Sequence, residues 1–303
     1  MVKKILITGK HSYIGNKLAD WLSFNSEEYN ITKKSVRNDK WKEIDFSLYD
    51  VVVHVAGIAH QDTKADQEEL YYAVNRDLTI EIAKKAKSEG VSQFIFLSSM
   101  IVYGSSSRIG EPKIITKETI PKPTNFYGNS KLLAEKGIRK LHSDNFNIAI
   151  IRPPMIYGKG SKGNYPVLSK FAKITFIFPD IENQRSMLHI DNLTELIRLL
   201  IDNTERGLFY PQNESYVKTS ELVKEIAHIH SKKIYLVKMF NKLIILLSKK
   251  IEIFNKLFGN LVYSYDISEI NFNYRIHDLK ESLILTEKGE DNGASRKHYN
   301  RYV

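Results

Sequence analysis

The chain has 303 residues, ordinary apolar and aromatic fractions, no cysteine and a formal charge of +10. A chain this long buries a large core, in one big domain or two smaller ones, and its composition sets wholesale disorder aside. Without cysteine there are no disulfides and no thiolate metal sites, which fits a reducing compartment. The lysines are spread along the chain and no DNA- or RNA-binding motif accompanies them, so nucleic acid is not an expected partner. After Lys3-Lys4 only Ile5-Leu6-Ile7 precede Thr8-Gly9, too short a run for a signal-peptide core. No stretch reaches the roughly 18 apolar residues of a membrane span. The expectation is a soluble, cytoplasmic protein with no metal site.

In chain order, strands are predicted over Lys3–Thr8, Ile31–Val36, Val51–Val55, Gln93–Ser98 and Asn147–Arg152. Helical spacing separates them, notably over Ile14–Phe24, Leu70–Ser88 and Phe126–Leu141. Short continuous apolar runs alternating with helices predict a parallel sheet covered on both faces. The fold class is α/β, a doubly wound parallel Rossmann sheet with a smaller, mostly helical C-terminal substrate region. Residues 153–187 loosen into Gly, Pro, Lys and Asn. A helix follows with Leu193, Leu196, Ile197, Leu200 and Ile201 on one face and Asp191 or Asn192 as its cap, and Gly207–Pro211 adds a strand. The expected division is a dinucleotide domain over 1–160, rejoined by about 188–212, with a substrate-binding region over 161–187 and 213–303. Segment 232–258 is both apolar and basic. It reads as a helical flank with lysines in solvent, contact with an anionic membrane surface being the alternative.

Thr8-Gly9-Lys10-His11-Ser12-Tyr13-Ile14-Gly15 follows the first strand directly and opens the first helix. A dinucleotide pyrophosphate would rest there, on free backbone N–H groups at the positive end of a helix. Gly9 permits the tight turn and Gly15 the close approach of helix and strand. Ser12 replaces the usual middle glycine, and its hydroxyl is expected to donate to a phosphate oxygen. Thr8, His11, Tyr13 and Ile14 complete this set of candidate cofactor contacts. Val55-Ala56-Gly57 ends the next central strand and floors the ribose and pyrophosphate. Asp45 and Phe46 are read as following a short third strand, where the carboxylate would meet the adenine amino group. The end of the second strand, Thr32-Lys33-Lys34-Ser35-Val36-Arg37-Asn38, has no acid before Asp39. An acid there would bind a ribose 2′-OH and a basic residue a 2′-phosphate, so Arg37 favours NADP(H), with NAD(H) the alternative.

Tyr127-Gly128-Asn129-Ser130-Lys131 sets Tyr and Lys on one helical face. A nearby ammonium is expected to lower the phenol pKa, so that Tyr127 can exchange a proton with a carbinol during hydride transfer. Tyr13…Lys17 and Tyr29…Lys33 share the spacing by chance. Context selects Tyr127, which starts a helix after the Pro121/Pro123 turn and lies downstream of the strand ending in Ser98-Ser99. A hydroxyl leaving the C-terminal end of a central parallel strand points into the ligand cleft.

With these residues in hand, the chain resembles the extended short-chain dehydrogenase/reductases, in their sugar-nucleotide epimerase/dehydratase/reductase group. Matching segments are Thr8–Gly15, Val55–Gly57, Asn75, Leu97–Gly104, Tyr127–Lys131, Arg152–Gly158 and Arg185–Asn192. The last third resembles capsule-biosynthesis enzymes of Gram-positive bacteria, notably in Phe258-Gly259-Asn260-Leu261-Val262-Tyr263. The resemblance implies Ser99 as hydrogen-bond donor to the reacting sugar oxygen, Tyr127 as acid/base, and Lys131 on the nicotinamide ribose. It implies Pro153 among the cofactor contacts, Asn164 and Arg185 on a nucleotide diphosphate with Arg275 as a further candidate, and a homodimer.

Dehydratases of this group carry an Asp-Glu pair after the catalytic hydroxyl, where this chain has Met100 and Ile101. Apolar side chains transfer no protons, so dehydration is disfavoured. The leading expectation is a 4-ketoreductase of a UDP-4-keto-6-deoxy-N-acetylhexosamine in capsule or cell-surface polysaccharide synthesis. The acid-free end of the second strand, Met155 where well-known 4-epimerases have a substrate-binding Asn, and the capsule-enzyme resemblance favour it. A UDP-glucose or UDP-N-acetylglucosamine 4-epimerase with retained NAD is the alternative, and a non-catalytic dinucleotide-binding protein a second one.

Overall fold

The structure is a computed structural model that describes residues 2–59 and 65–289. In chain order the strands are β1 (Lys3–Thr8), β2 (Tyr29–Lys34), β3 (Val51–His54), β4 (Gln93–Leu97), β5 (Ile114–Ile115), β6 (Asn147–Ile151), β7 (Met155–Tyr157), β8 (Ile177–Pro179), β9 (Met187–His189), β10 (Gly207–Phe209), β11 (Tyr235–Val237) and β12 (Val262–Tyr263). The helices are α1 (Tyr13–Ser23), α2 (Glu68–Tyr71), α3 (Leu78–Ser88), α4 (Phe126–Arg139), α5 (Asn164–Ile174), α6 (Ile190–Asp202), α7 (Thr219–Ile229), α8 (Asn241–Ser248), α9 (Glu252–Phe258), α10 (Tyr265–Ser268) and α11 (Leu279–Lys288). A π-helical stretch, Tyr72–Asp77, joins α2 to α3.

Six strands make one parallel sheet in the order β10-β6-β4-β3-β1-β2. Alternation along each strand sorts the core into two layers. Ile5, Ile7, Val51 and Val53 face α1 and α6, whereas Leu6, Val52, Phe94 and Phe96 face α3 and α4. The chain leaves β1 for β2 on one side and returns to β3 on the other. A crevice therefore opens at the C-terminal ends of β1 and β3, the switch point where such sheets bind ligands.

The apolar stripe of α6 is wholly inside, with Leu193, Leu196, Ile197, Leu200 and Ile201 at 0% exposure. Cutting any one to Ala would cost about 2–5 kcal/mol. The cap of this helix differs from expectation. It is His189, whose ring accepts from the Asp191 N–H, while Asn192 lies within the helix and joins Asn213 to the backbone of His277. The second strand also ends two residues early, at Lys34, because Val36 turns inward to pack with Trp41.

The region after β6 is less purely helical than its sequence predicts. Three parallel two-stranded ladders, β7–β9, β8–β11 and β5–β12, stitch its helices together. Ladders of two or three residues are too short to leave an alternating pattern. Residues 290–303, within the expected substrate-binding span, lie outside the described residues.

Candidate active site

The phosphate loop is built by backbone. Gly9 takes φ +94, and a side chain there would press within 3.1 Å of the Ala56 nitrogen. Its N–H and that of Lys10 both donate to the Lys34 carbonyl, fastening the loop to the end of β2. Gly15 is required by contact, since a Cβ would lie 2.7 Å from Ser12 Oγ and 3.0 Å from Val55. Ser12 caps α1 by accepting from the Gly15 N–H at 2.9 Å, so its oxygen is engaged while its proton stays available to donate. The N–H groups of Tyr13 and Ile14 have no acceptor among the described residues. Two unpaired N–H groups at a helix N-terminus suit a pyrophosphate, so the loop fits a dinucleotide. His11 stands exposed at the rim, and the half-buried Tyr13 carries a hydroxyl without a partner among the described residues. Thr8 faces inward, with its hydroxyl 2.7 Å from His54 Nδ1.

Val55, Ala56 and Gly57 follow β3 and lead toward α4, which carries Tyr127 and Lys131. A Cβ on Gly57 would sit 3.0 Å from Asn75 Oδ1 and 3.2 Å from Lys131 Nζ. Asn75, in the π-helical stretch, clamps both backbone groups of Ile58 and reaches the Ser130 hydroxyl.

Tyr127 and Lys131 lie one turn apart on α4, whose N-cap Asn125 accepts from the Gly128 N–H. The Ser99 hydroxyl bonds the Tyr127 phenol, which works to lower its pKa. Burial, aided by Tyr71, wins and pushes the phenol up to about 12. The Lys131 ammonium donates to the Leu97 carbonyl at 2.9 Å and lies 4.7 Å from the centre of the Phe96 ring. Burial, opposed by Glu135, brings it down to about 8. The expected lowering of the phenol by Lys131 is therefore absent in this state. Tyr127 therefore keeps its proton at neutral pH.

The two serines at the end of β4 face different surroundings. Ser98 points inward to Glu135 at 2.5 Å, beside the buried Glu135–Arg152 ion pair, and only Ser99 is left half-open at the end of β4. Pro153 accepts the Met100 N–H, and the chain continues through Met155 into a pocket. That pocket is lined by Met155, Asn164, Arg185, Met187, Lys256 and Leu257, among others. Asn164 opens α5 behind Gly163, so the helix N-terminus meets the pocket. Arg185 donates to the Lys256 and Gly259 carbonyls and has no carboxylate partner among the described residues. Burial lowers its pKa to about 10, and at neutral pH it remains an uncompensated cation.

Three expected site residues lie elsewhere. No strand forms between β2 and β3; Asp45 instead caps a 3-10 turn, accepting from the Ser47 N–H and hydroxyl. Phe46 is fully buried, and its N–H donates to Glu89, just before β4 begins. The chain has thus returned to the N-terminal edge of the sheet, the end opposite the phosphate loop. Arg275 is not among the residues lining the Arg185 pocket. Its guanidinium is taken up by the Gln212 and Ser268 carbonyls and by Glu269.

Arg37 is exposed after β2, with its side chain toward solvent. Lys34, which sequence reading passed over, is exposed at the point where the phosphate loop bonds β2. Lys256 and Leu257 were also missed, because contacts remote in sequence, the bridge between Arg185 and Leu261 and the bonds of Arg185 and Thr219 to the Lys256 and Leu257 carbonyls, draw the end of α9 to the pocket.

Residues 5–211 match the NAD dependent epimerase/dehydratase family, and the chain belongs to it. It is an NAD(P)-dependent enzyme of the sugar-nucleotide epimerase or reductase type. It is 34% identical over 252 residues, 75% of this chain and 76% of the other, to a UDP-glucose 4-epimerase of Vibrio cholerae. Its fold matches a UDP-glucuronic acid 4-epimerase from Bacillus cereus in complex with NAD, with TM-score 0.72 and 17% identity, covering 98% of this chain and 99% of that one. It also matches a dTDP-4-dehydrorhamnose reductase from Bacillus anthracis in complex with NADP, with TM-score 0.61 and 20% identity over 80% of this chain and 86% of that one.

Proposed function

We propose that the protein is an NADPH-dependent reductase of the C4 ketone of a UDP-4-keto-6-deoxy-N-acetylhexosamine. The observation that carries the reading is the end of β2, where Lys34, Ser35 and Arg37 stand together with no acid before Asp39. Cations suit a 2′-phosphate, and NADPH drawn from a free pool suits net reduction. Neutral Tyr127 gives its proton to the C4 oxygen as the carbonyl becomes a hydroxyl, and Ser99 donates to the same oxygen. A bound reduced nicotinamide would supply the hydride to C4. The Lys131 ammonium holds the ribose and steadies the phenolate until solvent reprotonates it. Arg185 and the N-terminus of α5 at Asn164 hold the diphosphate. Buried Met100 and half-buried Ile101 leave no carboxylate for dehydration.

A second reading, a 4-epimerase with retained NAD, is favoured by the 34% identity to a UDP-glucose 4-epimerase. Incubation with UDP-N-acetylglucosamine alone, and separately with its 4-keto-6-deoxy derivative plus NADPH, separates the two by mass and NMR of the products. A 4-hydroxy-6-deoxy product made only with NADPH supports the reductase. A C4 epimer of the first sugar, formed without added coenzyme, overturns it.

A further inference from the structure

Between Ser231 and Ile251 the chain carries six lysines and not one Asp or Glu. The structure turns this stretch outward. Helix α8 is anchored by Ile244 and Ser248, both buried, so that its remaining apolar side chains cannot join the core. Met239, Leu243 and Leu246 are 77%, 55% and 61% exposed, and Ile245, Ile251 and, on α9, Ile253 are exposed too. Lys238, Lys242, Lys249 and Lys250 are exposed among them. So many neighbouring apolar side chains in water mark a contact surface, and single exposed leucines would not.

We propose that the α8–α9 face docks on an anionic phospholipid bilayer. Leucines, isoleucines and a methionine inserted at the level of the headgroups, with lysines reaching the phosphates, are the two components of interfacial binding. The strong excess of lysine, against the single exposed acid Glu252 at the start of α9, selects this occupant, since an apolar protein partner would not need it. No helix among the described residues is long and apolar enough to cross a membrane, so the contact is with the surface. The inner end of α9 contributes Lys256 and Leu257 to the Arg185 pocket, so a docked enzyme would hold that pocket beside the bilayer.

The full chain is tested by co-sedimentation with vesicles of phosphatidylcholine alone and of phosphatidylcholine with equimolar phosphatidylglycerol, at low and high salt. Binding to the anionic vesicles only, weakened by salt, is expected. Each lysine near the surface contributes about fivefold, so joint Lys242→Glu, Lys249→Glu and Lys250→Glu should weaken binding at least about 100-fold. Leu243→Ser with Leu246→Ser should abolish it, with reductase activity and thermal midpoint retained in both variants. No binding to anionic vesicles, or binding indifferent to these substitutions, would overturn the proposal. So would a wild-type dimer that Leu246→Ser converts to monomer, which would make the face an interface between copies. Because sedimentation needs no turnover, the outcome is independent of which reaction the site performs.

Discussion

Gly57 leaves the space that the Lys131 ammonium borders: a methyl group on Gly57 would stand 3.2 Å from the ammonium nitrogen. Gly57 has no left-handed backbone that demands glycine, so the requirement is space alone. Gly57→Ala should therefore fold normally, with stability within about 1 kcal/mol of wild type, while shifting Lys131 and Asn75 by tenths of an ångström. Small misplacements of catalytic groups cost rate steeply, and a loss of about tenfold or more in kcat/KM is expected. Unchanged kinetics would mean that this contact does not position Lys131.

Lys131→Met should weaken cofactor affinity and slow turnover together. Its ammonium loses its proton near pH 8, whereas Tyr127, held at about 12, stays protonated throughout. If the charged lysine supports catalysis, kcat/KM falls as pH rises through about 8, since that parameter reports groups of the free enzyme. The variant should lack this limb. A wild-type profile flat from neutrality to beyond pH 9 would remove the ammonium from the mechanism.

Coenzyme choice tests the end of β2. A guanidinium meets a phosphate with paired charge-assisted bonds worth on the order of 1.5–3 kcal/mol, roughly 10- to 150-fold in affinity. NADPH should be used better than NADH. Arg37→Ala should narrow the gap, and Lys34→Ala with it should narrow the gap further, while rates with NADH hardly move. Initial rates at subsaturating coenzyme decide it. Equal preference in the wild type would bring the NAD-retaining epimerase forward.

Acid should destabilise the fold through two buried histidines. His54, between the Thr8 and Thr79 hydroxyls, is pushed down to about 3 by burial and by Lys131. His189 is brought to about 4, mainly by burial. Both lie below the ordinary 6.5, so the unfolded chain takes up protons that the folded one refuses. Stability is complete above that value and falls as pH drops below it, by about 1.4 kcal/mol per histidine at about pH 5.5. Urea unfolding of wild type and His54→Gln at both pH values measures it. A variant with the same acid loss as wild type would clear His54.

The sheet was legible because buried parallel strands are continuous apolar runs, and the phosphate loop because its glycines sit at fixed places between strand and helix. The Tyr127–Lys131 pair was proposed from helical spacing; the strand end offered both Ser98 and Ser99, and the family resemblance pointed to Ser99. Asp45 and Phe46 misled because a polar-apolar pair reads alike at either edge of a sheet. Only the Phe46 bond to Glu89 reveals which edge it occupies. Arg275 misled because sequence gives no sign that the carbonyls of Gln212 and Ser268 would claim its guanidinium. Segment 232–258 was legible in composition, but its apolar face could be assigned to solvent only once Ile244 and Ser248 were seen to anchor α8.

Tyr127 is proposed to deliver the proton to the C4 oxygen as the sugar ketone is reduced. Tyr127→Phe removes that proton and leaves the ring packed against Tyr71, 6.0 Å between ring centres in the wild type. The direct measurement is the rate of NADPH oxidation with the UDP-4-keto-6-deoxy sugar, alongside NADPH binding followed by fluorescence. A rate lower by about 10²–10⁴-fold with coenzyme affinity nearly unchanged is predicted. Turnover within about threefold of wild type, well short of that range, would contradict it.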